Sequence, residues 1–149
     1  GDVYKRQIFV LMQIIEVKNQ LVSTIALIDD ENKILIGKRP VGKVFENLWE
    51  FPGGKVKKNE TVEQALIRET KEEINVDLSM NCIAPLAFST YKSENVNIII
   101  LLFISRKWHL DPICKVHTEL RWVKANNLNN YNMPPANKFL VTSLQDLLL

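Results

Sequence analysis

Hydrophobic and polar positions follow two periods along this chain, and the switches between them mark its elements. Val22 to Ile28 is apolar and β-branched, Asp29 to Asn32 is a polar turn, and Ile34-Leu35-Ile36 resumes the apolar run. That pattern predicts a β-hairpin over residues 22–38. Pro40 to Asn47 has no clear period and reads as a loop, and Leu48 to Phe51 as a short strand stopped by Pro52-Gly53-Gly54. Past the glycines the period becomes helical. Thr61 with Gln64 three residues on matches a capping box, so a helix is expected to begin near Thr61. Its apolar stripe is Val62, Leu66, Ile67, Thr70 and Ile74, and Asn75 suits a left-handed helix stop.

Asn81 to Tyr91 and Asn97 to Lys107 read as strands. The second holds the nearly unbroken run Ile98 to Ile104, expected of a central strand buried on both faces. Leu120 to Lys124 is a further short strand. Residues 135–149 read as a closing helix opened by Pro134-Pro135, with Phe139, Leu140, Leu144, Leu147 and Leu148 turned inward. Met12 to Val17 reads as the first strand. Gly1 to Gln7 shows no useful period, and residues 1–11 are expected to be a non-native or disordered extension, leaving residues 12–149 as one α/β domain.

Length and composition narrow the class. A chain of 149 residues can bury a sound core, and 46% apolar with 24% charged residues describes a soluble globular domain. A net charge of +2 is too small to argue for stable nucleic-acid binding. No apolar run approaches the roughly 18 residues of a membrane span. The apolar stretch after Lys5-Arg6 lacks a small-residue cleavage site, which argues against secretion. Cys82 and Cys114 form neither a disulfide framework nor a metal-ligand spacing, as expected of thiols in a reducing cytoplasm. Lys55, Lys57 and Lys58 adjoin the glycines, with Lys38-Arg39 just upstream. Such a cluster can attract a polyphosphate, although any one of these lysines also reads as solvated surface.

The candidate chemistry lies on the helix after the glycine pair. At about 100° per residue, Glu69, Glu72 and Glu73 fall within an arc of about 100°. Like charges at such spacings destabilise a helix unless a cation sits between them, and a hard, oxygen-preferring cation such as Mg²⁺ suits three carboxylates. A solvated, salt-bridged helix face is the other reading of the same residues.

Gly54, five residues, Glu60, seven residues, then Arg68-Glu69-x-x-Glu72-Glu73 resembles the box of the Nudix hydrolase family. Thr70 stands where that family usually has an aliphatic residue, and Asn75 where it has glycine. Within the family, Leu48-Trp49-Glu50-Phe51-Pro52-Gly53-Gly54-Lys55 and Met133-Pro134-Pro135-Ala136-Asn137 resemble segments of the MutT-like 8-oxo-dGTP diphosphatases. The resemblance covers roughly Met12 to Leu148. It implies an α/β/α sandwich with a mixed central sheet. It implies Mg²⁺, with Mn²⁺ as a substitute, held by Glu69, Glu72 and Glu73 and a carbonyl near Gly54, the same glutamates being catalytic. It assigns Arg39, Phe51, Lys55, Asn95 and Asn137 to the substrate, with Gly53, Glu60 and Arg68 structural in the motif.

The implied reaction is hydrolysis of 8-oxo-dGTP to 8-oxo-dGMP and pyrophosphate by water attack at the β-phosphorus, in a cytoplasmic monomer without membrane or stable nucleic-acid partners. Hydrolysis of other nucleoside triphosphates, such as pyrimidine nucleotides, and a non-catalytic nucleotide-binding module are the alternatives. Asn137 could instead cap the last helix, Phe51 could be ordinary core, and Arg39 an exposed hairpin residue. The chain departs from the subfamily at Asn95, where an Asp is expected, at Val44 for a pocket histidine, and at Val116 for an extra metal-binding glutamate. Glu119 could stand in for that glutamate. His109 and His117 show no partners in the sequence and are expected at surface or loop positions.

Overall fold

The computed structural model describes every residue except Glu16, and the side chains of all but residues 12–16. A helix, α1 (Asp2–Ile15), comes first. Its Val3, Tyr4, Phe9, Val10 and Leu11 are all more than half exposed. The segment expected to be a non-native or disordered extension is described as a helix, and the strand expected over Met12 to Val17 is not found among the described residues. Met12 to Ile15 lie in α1, Glu16 is outside the described residues, and strand β1 (Lys18–Leu27) starts at Lys18.

The remaining elements are β2 (Lys33–Lys38), β3 (Trp49–Glu50), β4 (Gly53–Lys55), α2 (Val62–Ile74), β5 (Ala84–Ser93), β6 (Val96–Ser105), β7 (Glu119–Lys124) and α3 (Asn137–Leu148), with short 3-10 turns at Met80–Cys82 and Ala125–Asn130. A mixed sheet runs β4-β1-β6-β5, with β1 and β6 parallel, and a second, antiparallel sheet runs β3-β2-β7. The expected mixed sheet is present, with the antiparallel sheet beside it. The hairpin expected over residues 22–38 does not form. Both edges of β1 are taken, by β6 and β4, so β2 meets it only at the bridge Ile28–Ile34 and pairs instead with β7 and β3. Asp29 Oδ1 closes the intervening turn by accepting from the N–H groups of Glu31 and Lys33, at 2.9 and 2.8 Å.

Side-chain alternation then builds the layers. Ile25, Leu27, Leu35 and Phe103 face α2 and pack with Leu66, Ile74 and Val76. Ala26, Ile28, Ile34, Ile36 and Leu102 face the other way and pack with Leu140, Val141 and Leu144 of α3. Strands buried on both faces between two helices make an α/β/α sandwich, and β6 lies inside its sheet, between β1 and β5. Helix α3 begins two residues later than expected, at Asn137, and turns Phe139 (71% exposed) and Leu147 (43%) to solvent rather than inward. The triplet Leu140-Val141 and Leu144 is enough to seat one face of so short a helix.

Candidate active site

Helix α2 carries the acidic residues and is held at both ends by local chemistry. Thr61 Oγ1 accepts from the Gln64 N–H at 3.1 Å while Gln64 Oε1 accepts from the Thr61 N–H at 2.9 Å. Asn75 ends the helix at φ 60°, ψ 29°, a left-handed position that asparagine tolerates. Ser23 on β1 donates to the Val62 carbonyl at 2.8 Å, which fixes the first turn against the sheet.

Arg68 is the electrostatic hub of the helix. Its Nε and Nη2 donate to the two oxygens of Glu60, at 2.7 and 2.9 Å, and Nη2 also donates to the Lys55 carbonyl at 3.0 Å. Its Nη1 reaches Glu69 at 2.7 Å and Glu72 at 3.4 Å. The guanidinium and the Lys57 N–H together push the Glu60 carboxyl down to about 2. Arg68 and Glu60 therefore tie the loop after the glycines to the helix.

The glycine pair brings two carboxylates onto strand β4. Gly53 has φ +153°, and a Cβ there would lie 2.0 Å from the Ser23 carbonyl oxygen, so no larger residue fits beside β1. A Cβ on Gly54 would lie 2.3 Å from the carboxyl carbon of Glu69, whose side chain occupies that space. Glu73 Oε1 accepts from the Gly53 N–H at 3.0 Å. Burial pushes the Glu73 carboxyl up to about 7, against the pull of that single N–H. Glu50 and Glu69 raise it further and His117 opposes them.

Glu72 lies outside this arrangement, with more than half of its side chain exposed. Among the described residues no three His, Cys, Asp or Glu side chains form a ready metal-ligand cluster. Arg68 Nη1 gathers Glu69 and Glu72, while Glu73 turns to the Gly53 N–H, so the three carboxylates do not converge on one point. The donor set still fits a hard divalent cation. It is all oxygen, it abuts the glycine strand, and its buried member, Glu73, has no salt-bridge partner among the described residues.

Beside β4 opens a cleft of about 390 Å³. Of the residues expected to meet substrate, it gathers Arg39, Phe51, Lys55 and Asn137, along with Gly53 and Gly54. Phe51 (2% exposed) and Asn137 (5%) form its inner wall. Asn137 does not cap α3, since the N-cap position belongs to Ala136. Arg39 is no free hairpin residue. Its Nη1 donates to Glu50 at 2.8 Å and its Nε to the Val44 carbonyl at 2.6 Å. Asn95 is not among the lining residues: it sits exposed in the turn joining β5 to β6, while Tyr91, Ser93 and Ile98 line the cleft from that hairpin.

His117 also departs from expectation. It is buried rather than superficial, and its Nε2 lies 3.1 Å from Glu50. Its ring fills the space above Gly37, where a Cβ would come within 2.6 Å of it. Glu50 is thus held between Arg39 and His117 at the edge of the cleft. His109 is exposed, as expected.

A family model described as the NUDIX domain matches residues 18–144. The chain belongs to the NUDIX domain family. It is 31% identical to the 8-oxo-dGTP diphosphatase of Escherichia coli K12 over 124 residues, covering 80% of this chain and 91% of that protein. It is 30% identical to the CTP pyrophosphohydrolase of the same organism over 116 residues, covering 74% and 81%. The solution structure of the E. coli ORF135 protein superimposes with a TM-score of 0.78 at 26% identity, covering 88% of this chain and 91% of that one.

Hydrolases of the Nudix family use a divalent metal. Of the three positions at which this Nudix domain departs from the segments it resembles, Val44 lines the cleft and Asn95 and Val116 do not. Val44 is 73% exposed at the cleft mouth, and Val116 is 47% exposed. Glu119 pairs with Arg121, which lies over Trp49. Because Glu119 faces Lys38 and Trp49 in register, alternation puts it on the opposite side of its sheet from Glu50. It does not approach the glutamates of α2. Among the described residues no helix is long and apolar enough to cross a membrane.

Proposed function

We propose that this Nudix hydrolase converts 8-oxo-dGTP to 8-oxo-dGMP and pyrophosphate, with Mg²⁺, or Mn²⁺ in its place, as the metal. Supporting this is the single cleft that gathers Asn137, Phe51, Arg39, Lys55 and the glycine strand beside Glu69 and Glu73. Glu69, Glu72, Glu73 and the Gly54 carbonyl would hold the metal, which supplies neutralisation of phosphate oxygens and a bound water of lowered pKa. Lys55 and Arg39 orient the polyphosphate as point and planar cations. Phe51 walls the base. A carboxylate of the glutamate set accepts the proton of the water that attacks the β-phosphorus; the bond from that phosphorus to the α–β bridging oxygen breaks, 8-oxo-dGMP departs as the leaving group, and the water oxygen remains in the pyrophosphate.

Oxidised guanine differs from guanine by a donor in place of the acceptor at N7. The Asn137 carboxamide offers an acceptor oxygen to that donor, and the same oxygen would oppose the lone pair of undamaged guanine. The enzyme acts as a cytoplasmic monomer that clears damaged precursors. The 30% identity to a CTP pyrophosphohydrolase supports a second reading, in which a pyrimidine triphosphate is the substrate and Asn137 only completes the wall.

Rates of pyrophosphate release from 8-oxo-dGTP, dGTP and dCTP decide between the two. The proposal expects kcat/KM for 8-oxo-dGTP to exceed that for dGTP by at least about tenfold, and Asn137→Ala to erase most of that ratio. A faster reaction with dCTP, unaffected by Asn137→Ala, would establish the pyrimidine reading instead.

A further inference from the structure

The segment from Arg39 to Leu48 is a strap stitched shut on itself. The Arg39 N–H donates to the Leu48 carbonyl at 2.8 Å, the Asn47 N–H to the Arg39 carbonyl at 3.0 Å, and the Leu48 N–H to the Phe45 carbonyl at 3.2 Å. The Arg39 side chain adds its bond to the Val44 carbonyl, and the Gly42 N–H donates to Glu46 at 2.8 Å. At the strap's tip Phe45 has φ 58°. Left-handed backbone is ordinary for the neighbouring Asn47 (φ 62°) but costly for a bulky aromatic residue. Such a conformation persists only where the surroundings over-determine it, as these bonds do.

The strained residue delivers a ring to the cleft. Phe45 packs edge-on against Tyr91 of β5, with centroids 6.2 Å apart and planes at 77°. Both residues line the cleft, one carried by the strap and one by the β5–β6 hairpin. The cleft's floor is buried (Phe51, Ile100, Asn137), whereas Phe45 is 37% exposed and forms part of the rim. The geometry points to Phe45 and Tyr91 as an aromatic roof over the nucleobase: the base enters between this roof and the Phe51 wall, and its edge meets Asn137. At 77° one ring of the pair can lie flat on a heterocycle while the other braces it edge-on, so the pair sets the affinity for the base, and Asn137 its identity. Strain and bonding in the strap hold the Phe45 ring in place before substrate arrives.

This inference rests on the reading of the cleft as a nucleotide site, and its test separates the two. The measurement is kcat/KM for 8-oxo-dGTP relative to 2-deoxyribose 5′-triphosphate, which carries the same phosphate chain without a base. In Phe45→Ala the ratio is expected to fall about tenfold or more, through KM, and Phe45→Tyr to restore it. Phe45→Gly, which relieves the left-handed backbone but has no ring, is expected to behave like Phe45→Ala. Tyr91→Leu is expected to lower the ratio in the same sense. An unchanged ratio, with both substrates losing equally, would overturn the roof and leave Phe45 as a loop-holding residue. Full recovery in Phe45→Gly would overturn it as well. If the wild-type protein prefers CTP, the proposed substrate fails, and the same ratio with CTP over ribose 5′-triphosphate still reads the roof.

Discussion

Glu73→Gln should stabilise the metal-free protein at alkaline pH while destroying its turnover. The Glu73 carboxyl is buried against β4, with one hydrogen bond from the Gly53 N–H, and sits at about 7 against an ordinary 4.5. Between those values the folded state keeps a proton that the unfolded chain has released. Stability therefore falls as pH rises from 4.5 towards 7 and is flat above it. The displacement corresponds to about 3 kcal/mol lost at high pH. Glutamine is nearly isosteric, keeps an acceptor for the Gly53 N–H, and cannot ionise.

Urea unfolding followed by tryptophan fluorescence in chelator checks this, since Trp49 is almost wholly buried. At about pH 5 the two proteins should unfold within about 1 kcal/mol of each other, and at about pH 8 the variant should be more stable by up to about 3 kcal/mol. Adding Mg²⁺ should narrow the gap by raising the wild type alone, because a cation that binds only the folded state stabilises it by mass action. An equal difference at both pH values would refute the reasoning, since the carboxyl would then not be the group whose ionisation opposes folding. Retained turnover in the variant would remove Glu73 from the proposed mechanism.

Three further outcomes follow from other residues. The Thr70 hydroxyl is buried in α2 without a hydrogen-bond partner, so Thr70→Val should stabilise by about 1 kcal/mol in the same urea assay. Gly37→Ala would press a methyl into the His117 ring, and should cost about 1–3 kcal/mol and lower turnover by moving Glu50; thermal melting and kcat report the two effects. The Glu60 carboxyl is held down to about 2 chiefly by Arg68, so its contribution is fully present above 4.5 and is lost as pH falls towards 2. Arg68→Met should flatten that acid limb of the stability profile, measured by chemical unfolding between those pH values.

The residues that could be read from the chain are those whose structure is made locally. Thr61 and Gln64 cap each other across three residues, Asn75 ends its own helix, and the glycine pair announces a close backbone approach, so α2 and its glutamates were legible before any fold was known. The periods of β6 and α3 were legible for the same reason, although not which turn of α3 would face outward. What escaped was set by pairing between distant segments. The apparent hairpin over residues 22–38 dissolved because β6 and β4 compete for the edges of β1, and nothing near Val22 encodes that preference. Likewise His117 looked partnerless because its partner, Glu50, comes from a strand 67 residues away, brought near through the pairing of β3 and β7 with β2.

The same logic explains why the site splits as it does. Catalytic carboxylates can be carried by one helix, since a period of 3.6 already puts them on neighbouring turns. A base pocket cannot be. A flat heterocycle needs surfaces above, below and at its edge, and no single element offers all three. In the proposed site they would come from the strap (Phe45), the β5–β6 hairpin (Tyr91), the segment before the glycines (Phe51) and the start of α3 (Asn137), all of which line the cleft. The hairpin register decides which of its residues serve: Tyr91 pairs with Ile98, and both line the cleft, while Asn95 is carried out to the exposed turn. The departures at Val44 and Asn95 fall in the strap and in the β5–β6 turn, apart from α2, whereas Glu69 and Glu73 are pinned to the glycine strand.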